Sequence, residues 1–203
     1  MKKIILLLFM VLLAFPCYAE EFSDDVDDTS IFDPLRDGNG DVTFDSVFKV
    51  WTGSIEKTWR CKSHLDVYVP LNIWHNRLFY DQEKIDGYNE QPWGGGLGVS
   101  RLDDDGDLHA LYFMAFKDSN YKLQTIMGYA YQKNWYFGEN DDWHYGVGFT
   151  TALTQREEYS YIPLPLPLPL AGFGYKNFSL QAAYVPGIQN NGNVLFTWAR
   201  MSF

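Results

Sequence analysis

Side chains alternate in character at every second position along most of the chain after residue 65. Over 178–188 and 193–203, for example, two sets of residues interleave, and a period of two is typical of a β-strand. The pattern predicts eight strands, over 66–80, 93–102, 107–117, 122–135, 142–155, 160–175, 178–188 and 193–203. Turn-forming residues separate most of these segments, namely Asp105-Gly106, Gly138 to Asn140, Lys176-Asn177 and Asn190 to Asn193.

A different period occupies residues 44–59. Its apolar positions are 44, 47, 48, 51, 55 and 59, which is the spacing of a single stripe along an α-helix. Because two Phe and two Trp lie on this stripe, the predicted amphipathic helix, over 42–61, suits a membrane interface as well as a protein core. The pattern alone leaves both interpretations open.

The first nineteen residues match a secretory signal peptide. Two lysines precede the apolar run 4–15, and Cys17 and Ala19 supply small residues at the two positions that a signal peptidase recognises. We therefore expect cleavage after Ala19. A retained membrane anchor is disfavoured because so short a run does not span a bilayer. A lipid-modified Cys17 is disfavoured by the bulky residues before it.

Residues 20–41 form an acidic leader that we expect to be disordered. Nine acidic side chains and one basic side chain fall within it, and such a charge density favours a solvated chain. Asp37 to Asp41 resembles the start of a calcium loop, but Val42 and Phe48 stand where a glycine and a glutamate are needed. A turn is the better interpretation, and we expect neither a metal nor a cofactor in this chain.

Composition and charge indicate what surrounds the predicted strands. The chain has a formal net charge of −10, and without a basic surface it is not expected to bind nucleic acid. Aromatic residues make up 18% of it, more than a small soluble barrel can hide inside. In the segment 122–135 bulky side chains share one face and smaller ones the other; they are Leu123, Met127, Tyr129 and Tyr131 against Ile126, Gly128 and Ala130.

The bulky face favours contact with lipid, and the small face leaves a hollow. We therefore predict an all-β fold: an eight-stranded antiparallel transmembrane β-barrel over 62–203, preceded by the amphipathic helix. A strand that ends the chain at Phe203 is also typical of outer-membrane proteins. A soluble lipid-binding barrel is the alternative, and it would need a polar outer face.

Two features suggest a lipid ligand. Both faces of the segment 109–116 are apolar, so we expect part of the lumen to be apolar rather than water-filled. An apolar lumen is the environment that an acyl chain requires. Prolines recur at 163, 165, 167 and 169, and in a strand their missing N–H donors fall along one seam. In a soluble protein this run would be a polyproline-like loop. In a membrane barrel it predicts a lateral opening to the bilayer.

Several specific blocks resemble the lipid A palmitoyltransferase family (PagP type) of Gram-negative outer membranes, nearly collinearly from about residue 44 to the C-terminus. The blocks are Trp74 to Arg77, Tyr88 to Gly96, Met114 to Ser119, Tyr161 to Pro165, Tyr184 to Gly187 and Asn190 to Val194. The resemblance implies a barrel, tilted in the outer membrane, that moves a palmitoyl chain from a phospholipid to lipid A. It also favours the membrane interface for the helix, and it is silent on the leader 20–41.

The family's catalytic trio falls on His75, Asp118 and Ser119. Acyl transfer to a hydroxyl needs a base, for which His is suited, and donors that stabilise the carbonyl oxygen, for which Ser is suited. Asp118 could orient His75 or Ser119. A Ser beside an Asp at a strand end is not a nucleophile elbow, so whether Ser119 becomes acylated or only positions the ester stays open.

By position, the resemblance also assigns residues that handle the substrates. Two gaps in the barrel wall are implied, flanked by Pro70 and Pro92 and by Pro163 and Pro186. The lumen that measures the acyl chain includes Ile126, Gly128 and Ala130, with Ala130 where the family commonly has Gly at the floor. Basic residues expected near the outer rim could contact lipid phosphates; they are Arg77, Lys84, Arg101, Lys117 and Arg156.

The function predicted from the sequence is transfer of a palmitoyl or slightly shorter chain from a glycerophospholipid to a hydroxyacyl group of lipid A. The partners are then a phospholipid donor, the lipid A acceptor and outer-membrane lipids, and we expect a monomer. The alternative is a non-enzymatic small outer-membrane barrel that binds lipid or has a structural role.

Overall fold

The computed structural model describes residues 43–203. The predicted signal peptide 1–19, acidic leader 20–41 and turn at Asp37 to Asp41 lie outside these residues. Helix α1 comes first and a short helix α2 follows the first strand; the bounds are α1 Phe44–Arg60, β1 His64–His75, α2 Gln82–Asp86, β2 Gly94–Leu102, β3 Leu108–Lys117, β4 Leu123–Phe137, β5 Trp143–Gln155, β6 Leu164–Tyr175, β7 Phe178–Val185 and β8 Val194–Ser202.

The eight strands close into a barrel in which every neighbouring pair is antiparallel and β8 pairs with β1. The predicted fold is therefore confirmed. Loops 76–93, 118–122, 156–163 and 186–193 connect the strands at one end, called here the long-loop end because it carries the three longest connections. Short turns at 103–107, 138–142 and 176–177 connect them at the other, the short-turn end. Gly106, Gly138 and Lys176 adopt positive φ there, as tight turns require.

Three strands differ from the predicted bounds by several residues. The strand predicted over 66–80 spans His64–His75, and two others differ for a local reason. The strand predicted from 160 begins only at Leu164, because Ser160 and Tyr161 adopt left-handed backbone angles after a 3-10 turn. The strand predicted to reach 188 ends at Val185, since Pro186 cannot donate to the ladder. In both cases a local backbone constraint overrides the alternating pattern.

Helix α1 is amphipathic and lies against the outer wall of the barrel. Thr43 caps it through reciprocal hydrogen bonds with Ser46, a capping box that satisfies orphan N–H groups. Nε1 of Trp51 donates to Oγ1 of Thr151 on β5 at 3.0 Å. Over residues 43–203 no helix is both long enough and apolar enough to cross a membrane.

Most large outward-facing side chains are exposed, as a lipid-facing surface predicts. At the short-turn end the rings of Trp135 and Tyr145 stack at 5.4 Å between centroids, and Phe137 and Trp143 at 6.3 Å, in the manner of an aromatic girdle. The prediction of lipid contact is wrong for Tyr129, which is buried because it lies under α1. The prediction is also wrong for Tyr131, which is buried and whose hydroxyl donates to Oδ2 of Asp107 at 2.6 Å.

The lumen has two halves of opposite character. Toward the long-loop end its residues are apolar, as predicted from the segment 109–116, and Met114, Phe116 and Phe196 belong to this core. Toward the short-turn end it is polar: Arg200 pairs with Asp66 at 3.0 Å, and Ser202 donates to the same carboxylate at 2.7 Å. A buried charge needs such a partner, and the network plugs the short-turn end.

The barrel wall has two gaps, each bordered by proline. Strands β1 and β2 pair only as far as Tyr68↔Gly96, just before Pro70. Strands β6 and β7 pair only from Leu170↔Ala183 onward. The prolines of β6 leave its ladder with β5 continuous, so their missing donors face β7, as the predicted seam requires.

Candidate active site

His75 and Ser119 meet at the long-loop end. His75 is the last residue of β1, and Ser119 lies in the loop just after β3. Nε2 of His75 is 3.1 Å from Oγ of Ser119, and both side chains are buried. The structure thus brings together two residues that are 44 positions apart in the sequence, with a geometry that permits proton transfer between them.

A β-bulge in β1 turns His75 into the lumen. The register with β8 shifts between Pro70 and Asn72, so the inward positions are even-numbered before the bulge and odd-numbered after it. Since one residue of slip exchanges the two faces of a strand, an unbroken alternation from Asp66 would point His75 toward lipid. The bulge is therefore a condition for the His75–Ser119 pair.

Asp118 shapes the loop that carries Ser119. Its Oδ1 accepts hydrogen bonds from the backbone N–H groups of Asn120 and Lys122 at 2.8 and 2.9 Å. Its Oδ2 lies 3.4 Å from Nη2 of Arg156. Of the two roles considered for Asp118, these contacts support the positioning of Ser119.

The carboxylate that contacts His75 is Glu90, which sequence analysis did not single out. Oε1 of Glu90 lies 3.0 Å from the backbone nitrogen of His75 and 3.1 Å from Nδ1. Both nitrogens can donate to it. A single acidic residue in the block Tyr88 to Gly96 has no diagnostic spacing, so only the three-dimensional contact could identify it.

Aromatic rings enclose His75. Its ring centroid lies 4.6 Å from that of Tyr88 and 5.0 Å from that of Tyr80. The hydroxyl of Tyr80 donates to the carbonyl oxygen of Gly192 at 2.7 Å, and burial raises the pKa of Tyr80. The two rings therefore restrict water around the imidazole, and Tyr80 links loop 76–93 to loop 186–193.

A cavity of about 540 Å³ descends from this pair into the apolar half of the lumen. Ile126, predicted to contact the acyl chain, lines it. Around the mouth the lining is polar, and deeper down it is mainly aliphatic or aromatic; the deeper residues include Ile73, Met114, Phe116, Leu164, Leu166, Leu168, Ala183, Val194 and Phe196. A long apolar chain with a polar head fits such a lining.

The floor of the cavity is formed by Tyr112, Thr150 and Trp198. The hydroxyls of Tyr112 and Thr150 are 2.7 Å apart. Gly128 and Ala130 do not line the cavity themselves. A Cβ on Gly128 would lie 3.1 Å from the Tyr112 hydroxyl, and Ala130 is the cross-strand neighbour of Thr150. Both residues thus lie behind the floor and act on it through their neighbours.

The predicted phosphate contacts differ in their surroundings. Arg156 lines the cavity mouth, and its buried Nε has no hydrogen-bond partner among the described residues. Lys84 also lines the mouth. Arg77 is engaged by Glu90, to which it donates from both terminal nitrogens. Lys117 is exposed at the long-loop end, whereas Arg101 is buried at the short-turn end, so its predicted place near the outer rim is wrong.

Comparison with known proteins identifies the family. Residues 54–200 match the family described as "Antimicrobial peptide resistance and lipid A acylation protein PagP". A protein of Serratia proteamaculans is 50% identical over 157 residues, 77% of this chain and 80% of that protein. One of Pectobacterium carotovorum is 42% identical over 198 residues, 96% and 93% of the two chains. Both are named lipid A acyltransferase PagP, and the chain belongs to the PagP family.

Proposed function

We propose that the protein transfers an acyl chain from a glycerophospholipid to a hydroxyacyl group of lipid A in the outer membrane. The observation that carries this proposal is the His75–Ser119 pair at the mouth of an apolar cavity with a closed floor. A fatty acyl chain lying in that cavity would hold its ester carbonyl beside the pair. Family membership supports lipid A as the acceptor.

The chemistry needs only groups that the site provides. Nε2 of His75 takes the proton of the attacking hydroxyl, whose oxygen forms a bond to the ester carbonyl carbon. The carbon–oxygen bond to glycerol then breaks, and the proton passes from His75 to the departing oxygen. In one variant of this scheme Ser119 donates to the carbonyl oxygen throughout. In the other Ser119 attacks first and the acceptor hydroxyl displaces it.

The surrounding features extend the proposal to substrate entry and location. Arg156 and Lys84 contact the anionic head groups at the cavity mouth. Acyl chains enter and leave through the two wall gaps, one flanked by Pro70 and Pro92 and the other by Pro163 and Pro186. The protein acts as a monomer without metal or cofactor, after export and cleavage behind Ala19.

The first test is the reaction itself. The purified barrel in detergent is expected to transfer an acyl chain from phosphatidylethanolamine to lipid A without added metal or nucleotide, and to keep its activity in a chelator. Mass spectrometry of the lipid A product measures the transfer. Folded protein that gives no acylated product with any of several phospholipids would overturn the enzyme assignment and favour the non-enzymatic barrel.

A second test concerns the gap between β6 and β7. Continuing the register from Leu170↔Ala183 places Pro169 opposite Tyr184 of β7. Giving Pro169 a backbone N–H group, as Pro169→Thr, is therefore expected to extend the ladder beyond Leu170 and to slow lipid entry several-fold. The measurement is the transfer rate in intact outer membranes compared with the rate in detergent micelles. The slowing should be larger in membranes, since the chemistry at His75 is untouched.

Pro165→Thr is the matched control for this seam. Continuing the register from Leu170↔Ala183 places Pro165 opposite residue 188, beyond the end of β7 at Val185. The Pro165→Thr variant therefore gains a donor with no strand to accept it, and its membrane rate should stay near wild type. Equal rates for all three proteins in membranes would show that the proline run is not the entrance.

A further inference from the structure

The contacts of Glu90 define a second layer of the active site. Its backbone oxygen accepts a hydrogen bond from the N–H of Ile73 at 2.9 Å and another from Nδ2 of Asn72 at 3.0 Å. The main chain of Glu90 thereby contacts β1 at the far edge of the gap between β1 and β2. Its carboxylate is held from both sides, by His75 on one and Arg77 on the other. The side chain has little freedom to leave the imidazole.

Arg77 also favours the charged form of Glu90. Hydrogen bonds from Arg77 lower the pKa of Glu90 to about 2, so at neutral pH it is a carboxylate and accepts hydrogen bonds only. Nδ1 of His75, 3.1 Å from Oε1, must then carry the proton. In the neutral imidazole this leaves the lone pair on Nε2, the nitrogen that faces Ser119.

We propose that Glu90 is the positioning residue of the acyl transfer, selecting the Nδ1–H form of His75 and stabilising the imidazolium that forms when Nε2 takes the proton. Arg77 positions Glu90 in turn and shares its negative charge. This inference rests on the proposed acyl transfer. In this scheme Arg77 supports the base, His75, through Glu90, whereas Asp118 positions the loop that carries Ser119.

The two supporting residues should move the pH profile in opposite directions. Glu90→Gln keeps the shape but removes the charge that favours the imidazolium, so the pH of half-maximal rate on the acid side should fall by about one unit. In Arg77→Gln the negative charge of Glu90 is no longer partly neutralised, so the pH of half-maximal rate on the acid side should rise. If Glu90 and Arg77 had a purely structural role, both variants would have a lower rate but the same pH of half-maximal rate on the acid side as the wild type.

The experiment measures the transfer rate from pH 4 to 9 for the wild type, Glu90→Gln, Glu90→Asp and Arg77→Gln. Glu90→Gln should lose about 10-fold or more at its optimum, and Glu90→Asp should recover part of that loss. Glu83→Gln is the control, because this exposed residue lies on the same loop and does not line the cavity. If the pH of half-maximal rate on the acid side is the same in Glu90→Gln as in the wild type, the inference is overturned. An inactive wild type would instead overturn the proposed function.

A second readout needs no turnover. Nitrogen-15 NMR of the histidine rings, with the His75 signals assigned by their loss in His75→Ala, reports which ring nitrogen holds the proton. We expect Nδ1–H in the wild type and a mixture of the two forms in Glu90→Gln. Identical His75 signals in the two folded proteins would contradict the positioning role even if the rates differ.

Discussion

Replacing His75 with Ala is expected to lower the rate of acyl transfer at least ~100-fold and to leave the barrel folded. Nε2 of His75 lies 3.1 Å from Oγ of Ser119, so the variant loses the proton acceptor of the proposed reaction. Ser119→Ala should lower the rate to a similar degree, because it removes either the acylated hydroxyl or the donor to the carbonyl oxygen. Initial rates with a radiolabelled phospholipid donor and lipid A measure both losses.

His64→Ala is the matched control. His64 begins β1 at the short-turn end, and its Nδ1 contacts the hydroxyl of Ser63. The same substitution on the same strand, far from the cavity, should keep the wild-type rate. Circular dichroism and heat-dependent gel mobility check that each variant is folded. A folded His75→Ala protein with near-normal turnover would assign the base role to another group.

The same variants resolve the role of Ser119. Mixing the wild type with radiolabelled donor in the absence of lipid A, followed by denaturation, would leave label on the protein if Ser119 is acylated. His75→Ala should then show less label, because the serine lacks its base. If the wild-type protein retains no label, yet transfers the acyl chain normally once lipid A is added, Ser119 only positions the ester.

The second large effect concerns the length of the transferred chain. Ala130 stands behind the floor of the cavity, beside Thr150, and is itself buried. Its methyl group fills about the space of one CH₂, and packing a chain one methylene too long costs ~1 to 3 kcal/mol when the walls cannot relax. We expect the wild type to prefer a chain slightly shorter than palmitoyl. Ala130→Gly should lengthen that preference, with roughly 10- to 200-fold discrimination per methylene.

Phospholipids with saturated chains of graded length, offered in competition, measure this preference. Ala171→Gly is the control, since it removes the same methyl group from an exposed position on β6. Its optimum should match the wild type. Thr150→Ser, which removes a methyl group from the floor itself, should lengthen the preference in the same direction as Ala130→Gly. An identical optimum in the wild type and Ala130→Gly would remove Ala130 from the selection of chain length.

Much of the fold was predictable because a membrane barrel imposes a local rule on its sequence. Each strand must present apolar side chains to lipid at every second position, so the period of two appears within about ten residues and needs no distant information. The eight strands, their order and the preceding helix follow from it. The burial of Tyr129 under α1 does not follow from the period of two, because the helix could pack on any part of the barrel wall. Its position depends on tertiary contacts such as that of Trp51 with Thr151.

The site was predictable only in part. His75, Asp118 and Ser119 were identified through the resemblance of their sequence blocks, and the structure brings His75 and Ser119 within hydrogen-bond distance. Glu90 lies in one of those blocks, yet nothing in its spacing distinguishes it from other loop carboxylates. Its importance comes from pairing across the barrel wall: the ladder between β1 and β2 stops after Tyr68, and Glu90 contacts β1 only at the far edge of the gap, next to His75.

By itself the sequence determined the strand periodicity, the apolar half of the lumen and the seam of missing donors, since each depends on residues close together in the chain. The tertiary structure alone decided which way the end of β1 faces. The bulge between Pro70 and Asn72 arises from pairing with β8, whose partners lie more than 120 residues away, and it turns His75 inward. Pairing across such distances is a property of the closed barrel, so no local pattern encodes it.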